Sequence, residues 1–484
     1  MTAANSGVKL PLSKRVFIAS IAPLFENQVY GGSQAILQSI AVGLAEHGAT
    51  VDLVCSRRPE NENGFRWHER AVVHPLLRLT GAFPDPYEVP PGDIAHSARD
   101  IAPLMDAADV VYLHADIFHL RRLIPKNTPI IRSFHDFAFE TALISAFGYC
   151  ADLTIVPSRY LGRSINATVG ESGMRNVEPV VVIPNGIDTR RFAAAKSSTS
   201  APDDTLRMLF PHRPDERKGI FECLNLARSL RDARRGLELE LIIPKHIDAD
   251  RLPGLKQIQT SIESRAQELG VQDVIRYVPW QTSDQMPDFY ISGDITLCLG
   301  DAIEAFGLAP YESIAAGTPV VVSRVGAYRE IPSHPNIEMI EWGDGQAALT
   351  AVLRQLDMGF NSATVDPLPG EYQQDLMIER YVEFLLRPEE SIQRYQSATS
   401  GIVAPDAVML APWCHPVTGG IYDDYHYGVR QLHGLSDFLC GRESAMPFDL
   451  DELLNHGVDK EEIAAARELS VLVSEFREPD LTYL

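Results

Sequence analysis

The amino-acid sequence predicts an α/β protein built from two successive parallel-sheet units, followed by a helical C-terminal extension. Three features predict it. Short apolar, β-branched runs alternate with longer amphipathic stretches, which is how a parallel sheet covered by helices reads in sequence. The runs are nearly continuous in their apolarity, as suits strands buried on both faces. The alternation halts at a small-polar stretch, residues 195–205, and then restarts at similar scale.

The first unit, residues 1–200, offers strands at Val16–Ala19, Val51–Cys55, Val110–Leu113, Pro129–Ser133, Leu153–Val156 and Val180–Ile183. Between the first two runs Ile36, Leu37, Ile40, Ala41 and Leu44 form one helical stripe, closed by Gly48. The second unit, residues 201–370, offers strands at Arg207–Phe210, Leu237–Ile243, Val274–Val278, Asp294–Cys298, Pro319–Val322 and Ile337–Ile340. A cleft is expected between the units. Residues 371–484 form the third segment. Within it 374–386 reads as a helix, Pro388 and Pro405 punctuate the chain beyond that helix, and Asp459-Lys-Glu-Glu462 resembles a capping box. A final helical run is expected through Ile463, Ala466, Leu469, Val473 and Phe476.

Composition excludes several functions. The chain has 43 basic and 65 acidic residues, a net charge of -22, which argues against a general polyanion binder and against docking on anionic membranes. A local basic patch for a phosphate remains compatible. The six cysteines are scattered without a CxxC pair, and Cys55, Cys223 and Cys298 sit in apolar runs as small core residues. No secretory leader is evident and no run approaches 18 apolar residues, so the expectation is a reduced, soluble, cytoplasmic protein.

Three segments carry candidate chemistry. Tyr30-Gly31-Gly32-Ser33 joins the first strand to the first helix, where glycines serve either a tight turn or a close approach of backbone N–H groups to an anion. Phe210-Pro-His-Arg213-Pro-Asp-Glu-Arg-Lys218-Gly219 comes directly after the first strand of the second unit. It puts Arg213 and Lys218, five residues apart, at the carboxyl edge of a sheet, where such sheets bind ligands. They read either as a phosphate grip or as a solvated loop paired internally through Asp215 and Glu216. In Glu304-Ala-Phe-Gly-Leu-Ala-Pro-Tyr-Glu312, Gly307 and Pro310 mark a helix start whose free N–H groups would attract an anion. The flanking carboxylates would either accept hydrogen bonds from sugar hydroxyls or simply favour the positive helix end.

The order and spacing of these segments resemble the family-4 retaining glycosyltransferases of GT-B fold, over most of residues 15–335. The resemblance also runs through Phe134-His135-Asp136, Pro157-Ser158, Pro184-Asn185-Gly186-Ile187-Asp188 with Phe192, Ala315-Ala-Gly-Thr-Pro-Val320, and Gly326 with Glu330. It implies two Rossmann-like domains facing a cleft, with the acceptor on the N-terminal side and a nucleotide-sugar donor on the C-terminal side. It also implies that residues near 371–390 cross back to the first domain. By the resemblance Arg213 and Lys218 bind the donor diphosphate and neutralise the leaving nucleoside diphosphate. The backbone of Phe306, Gly307 and Leu308 holds phosphate and sugar, Glu304 contacts hydroxyls of the transferred sugar, and Glu312 contacts the ribose. His135 contacts the sugar near the reacting centre, and Gly31 and Gly32 complete the phosphate cradle. The chain departs from the family pattern at His212, at Leu299-Gly-Asp-Ala-Ile303 and at Ala327, positions that would retune donor choice.

The expected reaction is hexosyl transfer from a nucleoside diphosphate to a hydroxyl of a soluble acceptor: a small metabolite, natural product or saccharide. Anomeric configuration would be retained. Neither metal nor cofactor is expected, since fixed cations and amides already face the diphosphate. No residue stands out as a general base, so the leaving phosphate would take the acceptor proton. Nucleic-acid partners and a membrane anchor are not expected, and self-association is left open. Two readings from other classes stand beside it: a nucleotide-sugar 2-epimerase of the same fold, and a non-catalytic nucleotide-sugar-binding protein. In the last segment Asp423-Asp424, His415 and His426 read as structural rather than as metal ligands, and Trp413 and the tyrosines of 421–427 as wall material for an acceptor pocket or subunit interface.

Overall fold

The computed structural model of the chain describes all residues except 1–13, 30, 80–88, 116–120, 149–150, 175–177, 196–204, 247–252, 359–367, 398–406, 443–445, 477 and 480–484. Most of the expected linker at 195–205 therefore lies outside the described residues.

In chain order the first unit comprises β1 (Arg15–Pro23), α1 (Gly32–Glu46), β2 (Thr50–Ser56), β3 (Phe65–His68), β4 (Ala71–Leu77), α2 (Pro91–Asp106), β5 (Val110–His114), β6 (Ile130–Ser133), α3 (Glu140–Gly148), β7 (Leu153–Val156), α4 (Arg159–Glu171), β8 (Val180–Val182) and α5 (Thr189–Ala195). Its strands form one eight-stranded sheet in the order β3-β4-β2-β1-β5-β6-β7-β8. Every pairing is parallel except that of β3 with β4. Strand alternation divides the core. Val16 and Ile18 enter one buried cluster with α1, while Phe17 and Ala19 enter another with Ile101 and Met105 of α2. Both faces are thus covered, which is why these strands read as unbroken apolar runs.

The second unit comprises β9 (Thr205–Leu209), α6 (Ile220–Ala233), β10 (Glu238–Pro244), α7 (Pro253–Leu269), β11 (Ile275–Val278), α8 (Met286–Ile291), β12 (Ile295–Cys298), α9 (Leu308–Ala316), β13 (Val320–Ser323), β14 (Ile337–Ile340) and α10 (Gly345–Met358). Its six strands are all parallel, in the order β11-β10-β9-β12-β13-β14. Two Rossmann-like sheets, the GT-B arrangement, therefore share the chain. Helix α11 (Gln374–Leu386) then returns to the first unit, where Met377, Tyr381, Phe384 and Leu385 join the core beside α1. The contact is close: a side chain on Gly43 of α1 would meet Ile378 at 2.3 Å. Helix α12 (Pro388–Ser397) adds Tyr395, stacked on Phe384 at 5.5 Å.

Two expectations are corrected. The hairpin of β3 and β4 is additional to the strands expected, because no residue of β3 is buried, those of β4 alternate between buried and half-exposed, and Pro75 interrupts the second strand. The extension is also not simply helical. It contains β15 (Ala407–Leu410), β16 (Cys414–Val417), β17 (Gly420–Asp423), β18 (Gly428–Arg430), α13 (His433–Leu439), β19 (Phe448–Asp449), α14 (Leu450–His456), α15 (Lys460–Glu468) and β20 (Leu472–Ser474). The strands make two small antiparallel sheets, β19-β15-β20 and β16-β17-β18. Strands of two to four residues leave too little periodicity to read. Helix α15 starts at Asp459 as expected, with the Asp459 carboxylate accepting from Glu461 N–H at 3.4 Å. Glu462 does not complete a capping box; it accepts from Leu435 N–H at 2.8 Å. The helix stops before Ser470, whose φ is +53°, so Val473 lies in a strand and pairs with Met409.

The extension is anchored to both units by one buried carboxylate. Asp424, 0% exposed, accepts a bidentate pair of bonds from Arg329 at 2.8 and 2.7 Å. It also accepts from the Tyr160 hydroxyl of α4 at 2.9 Å. Arg329 belongs to the second unit and Tyr160 to the first. Removing one partner of a buried pair strands the other's charge and costs about 3–5 kcal/mol. Asp424→Ala is therefore expected to loosen the extension, raising proteolytic cleavage within 407–476 and lowering the thermal midpoint. Tyr160→Phe, which removes one neutral donor, is expected to cost about 1 kcal/mol.

Candidate functional site

Each sheet has a point from which its strand order runs outward in both directions, and ligands bind in the crevice at the carboxyl ends of the strands there. In the first sheet it lies at β1, between β2 and β5; in the second it lies at β9, between β10 and β12. The loops that leave these strands carry the candidate residues. Gly31 and Gly32 open α1 after β1, and His114 ends β5. The loop 210–219 leaves β9, and 299–307 leaves β12.

The two crevices face each other. A Cβ on Gly32 would sit 2.6 Å from Leu308 Cδ1, so the start of α1 abuts the start of α9. Leu308 packs against the cores of both units. Ser158 Oγ donates across to Ala305 O at 2.5 Å, and Trp280 Nε1 to Val29 O at 3.2 Å. Both helices begin on a glycine, and neither has a side-chain cap. Helices ordinarily recruit Ser, Thr, Asp or Asn to satisfy their first N–H groups. Here no side chain takes up those groups.

Beside the start of α9, Lys218 Nζ donates to Glu304 Oε1 at 2.5 Å. Burial pushes the Glu304 carboxyl up, but the Lys218 ammonium, with His212 and the hydrogen bond itself, brings it below its ordinary value. Burial, then Lys218, holds the His212 imidazole down at about 4. Gly219, at φ +89°, lets the cationic loop meet the next: its Cβ would lie 2.4 Å from Gly300 N. Ala302 N–H donates to Arg217 O at 2.8 Å, sealing the contact. This is the setting of the unusual Leu299-Gly-Asp-Ala-Ile303 stretch: Gly300 is required by backbone proximity. Ala327 N–H holds Glu304 O at 2.9 Å, and a Cβ on Gly326 would meet the same oxygen at the same separation.

Gly307 adopts φ +74°, and any Cβ there would strike the Tyr328 ring at 2.1 Å. Phe306 stacks on Tyr311 at 4.6 Å, fixing the turn from below. One turn into α9, the Glu312 carboxylate accepts from Tyr290 OH at 3.0 Å. Burial raises its pKa, opposed by the Tyr290 bond and the Arg191 charge. Arg213 is exposed and bonded to Asp215 at 3.0 Å. His135, just past β6, sets Nε2 3.1 Å from Ser133 Oγ, and burial holds its imidazole at about 4.

The structure thus joins Lys218 to Glu304 directly and Gly32 to Leu308 by contact. Among the described residues, no hydrogen bond links Arg213, Glu312 or His135 to the Lys218–Glu304 pair. Several neighbours lie outside the sequence expectation: Tyr290 behind Glu312, and His114, Tyr112 and Ser133 behind His135. Tyr290 lies 22 residues from Glu312, and the strand bearing Tyr112 and His114 about 20 from His135, so no local pattern marks these contacts; Ser133 is near His135 but is an ordinary strand residue. The extension also reaches the cleft walls. Tyr425 OH donates to Phe137 O at 3.0 Å, and the Arg217 guanidinium lies 3.9 Å from the Tyr427 ring centre. Asp423 is occupied by Tyr425 N–H, His426 N–H and Arg430, and His415 by Glu341 and Arg329.

Comparison with known proteins bears on the family and the fold. The family Glycosyltransferase Family 4 matches residues 30–191, and Glycosyl transferases group 1 matches residues 192–339. A glycosyltransferase of Methanocaldococcus jannaschii is 24% identical over 367 residues, 67% of this chain and 87% of that one. The D-inositol 3-phosphate glycosyltransferase of Streptomyces avermitilis is 29% identical over 181 residues, 36% of this chain; the match spans only 38% of that relative's length. Among solved structures, an Anabaena protein in complex with UDP-glucose superposes with a TM-score of 0.54 at 15% identity, covering 79% of this chain and 99% of its own. That likeness speaks for the fold. With two adjoining family matches running through both sheets and the cleft between them, the chain belongs to the group 1, family 4 glycosyltransferases of GT-B fold.

Proposed function

We propose that the protein transfers a sugar from a nucleoside-diphosphate sugar to a hydroxyl of a small soluble acceptor, with retention at the anomeric carbon. The observation that carries this reading is the pairing of two uncapped, glycine-started helix N-termini at Gly32 and Leu308, beside the Lys218–Glu304 pair. A helix N-terminus carries roughly half a positive charge, so the two starts and Lys218 together suit a diphosphate. In this reading residues 1–200 form the acceptor side, residues 201–370 the donor side, and 371–484 the returning helix and brace.

In the proposed reaction the bond from the anomeric carbon to the diphosphate oxygen breaks as the acceptor oxygen bonds to the same face. The acceptor's proton passes to the departing phosphate, and no enzyme nucleophile is needed. Negative charge grows on the diphosphate, where Lys218, Arg213 and the amides of Phe306 to Leu308 stabilise it. Arg213 is released to it cheaply, since an exposed pair such as Arg213–Asp215 contributes only about 0.2–1 kcal/mol. Glu304, ionised and steadied by Lys218, accepts from hydroxyls of the transferred sugar; Glu312 accepts from the ribose. Fixed cations take the place of a metal. The acceptor is proposed to be a polyol or sugar, free or phosphorylated, a class to which the named substrate of the Streptomyces relative belongs.

Thermal unfolding in the presence of UDP, GDP, ADP and TDP identifies the nucleobase, because a ligand bound to the native state raises the midpoint. At least one is expected to do so, and no shift with any of the four speaks against the donor site. With that donor, Lys218→Ala should lower kcat/KM on the order of 10²–10³-fold, the range for removing one preorganised transition-state charge. Glu312→Ala should raise the donor KM about tenfold or more, as expected for losing a charged hydrogen bond. Full transfer by both variants would overturn the assignment. Activity is expected to survive EDTA; loss restored by Mg²⁺ would refute the metal-free mechanism. Mass analysis of the product separates transfer from epimerisation of the donor.

A further inference from the structure

We infer that His114 decides which ring nitrogen of His135 carries the proton, through a relay of Tyr112 and Ser133, and so makes His135 a hydrogen-bond acceptor toward the donor sugar. The inference rests on the proposed donor site. His114 is 1% exposed, and its ring centre lies 4.2 Å from that of His135. The chain of contacts is continuous. His114 Nε2 lies 2.9 Å from Ser33 Oγ and 3.2 Å from Ser33 O, at the start of α1. His114 Nδ1 lies 3.0 Å from Tyr112 OH, Tyr112 OH lies 2.8 Å from Ser133 Oγ, and Ser133 Oγ lies 3.1 Å from His135 Nε2. Burial keeps both imidazoles neutral near pH 7, so each ring holds one proton.

Every link has one proton to give, and hydroxyls can turn to give it either way. With one proton in each contact, the chain can be polarised in two senses. In one, both histidines carry the proton on Nδ1; in the other, both carry it on Nε2. The Ser33 carbonyl chooses between them. A bare Nε2 on His114 can accept from Ser33 Oγ at 2.9 Å but also directs its lone pair at a carbonyl oxygen 3.2 Å away, whereas a protonated Nε2 donates to that carbonyl. With Nε2–H on His114, Nδ1 accepts from Tyr112, Tyr112 accepts from Ser133, and Ser133 accepts from His135 Nε2–H. The Tyr381 hydroxyl also bonds Tyr112 and fits either sense. His135 Nδ1, which has no hydrogen-bond partner among the described residues, is left bare to accept from a sugar hydroxyl. His114 is thus a positioning residue, and the same ring ties the polarity of His135 to the glycine-started end of α1.

The test uses the full chain with ¹⁵N-labelled histidine, identifying the His135 signals by their loss in His135→Gln. Long-range ¹H–¹⁵N couplings report the protonated nitrogen. Wild type should show His135 protonated at Nε2. Tyr112→Phe frees the Ser133 proton to turn toward His135 and should move His135 toward the Nδ1–H form. Transfer kcat should fall about 3- to 10-fold, the loss of about one hydrogen bond. Ser133→Ala removes the acceptor and should shift His135 likewise, giving a second route if the first variant folds poorly. Tyr381→Phe, a buried hydroxyl beside the relay but outside it, should leave the tautomer unchanged. His135 protonated at Nδ1 in wild type, or unmoved in both relay variants, overturns the inference. A tautomer shift with unchanged turnover upholds the relay and removes His135 from the donor site.

Discussion

Two like-charged helix ends meet at the centre of this molecule. The starts of α1 and α9 touch through Gly32 and Leu308, and Lys218 stands beside them. Each end carries roughly half a positive charge, and neither has a capping side chain to absorb it. Within a chain of net charge -22 this is a concentrated positive spot. Glu304 offsets part of it, and the diphosphate of the proposed donor would offset the remainder. Much else depends on that arrangement. Gly32 is small because Leu308 is there, and Gly307 has the backbone freedom that the turn beside Tyr328 demands. Gly219 and Gly300 let two loops come close enough to deliver Lys218 to Glu304.

The meeting of the ends depends on holding two separately formed sheets in one relation. Three kinds of tie do this. Helix α11 leaves the second unit and completes the core of the first. Hydrogen bonds from Ser158 to Ala305 and from Trp280 to Val29 stitch the cleft edges. The extension then fastens Tyr160 and Arg329 with the single carboxylate of Asp424. That carboxylate also connects to the site: Arg329 comes just after Gly326 and Ala327, which cradle the Glu304 carbonyl. A residue 120 positions after Glu304 in the chain thus braces the loop that presents it.

Most of the fold is legible in the sequence because both faces of each sheet are covered. Residues such as Val16 to Ala19 must all be apolar when alternate side chains enter different cores. The edge hairpin Phe65–His68 and Ala71–Leu77, half-exposed and interrupted by Pro75, lacks that constraint and leaves no clear pattern. The extension misleads for a related reason. Its strands are two to four residues long and contain Pro416 and Gly420, so they carry no period. In the site, glycines and charges at strand ends announce Gly32, Lys218, Glu304 and Gly307, since few structural needs explain them together. The residues behind them stay hidden. Tyr290, Tyr112, Ser133 and His114 are ordinary residues within apolar stretches, and only folding shows what they touch.

The position of Asp424 in the chain also bears on how the protein is made. Domains generally fold in the order in which they leave the ribosome. Both sheets, and the helix that returns from one to the other, are synthesised before Asp424 emerges. Until then Arg329 has no carboxylate in its pocket and Tyr160 no acceptor from that residue. The last stretch of the chain therefore acts as a latch on parts already assembled. Nascent protein passes through an interval in which both sheets exist while the lock between them is still missing.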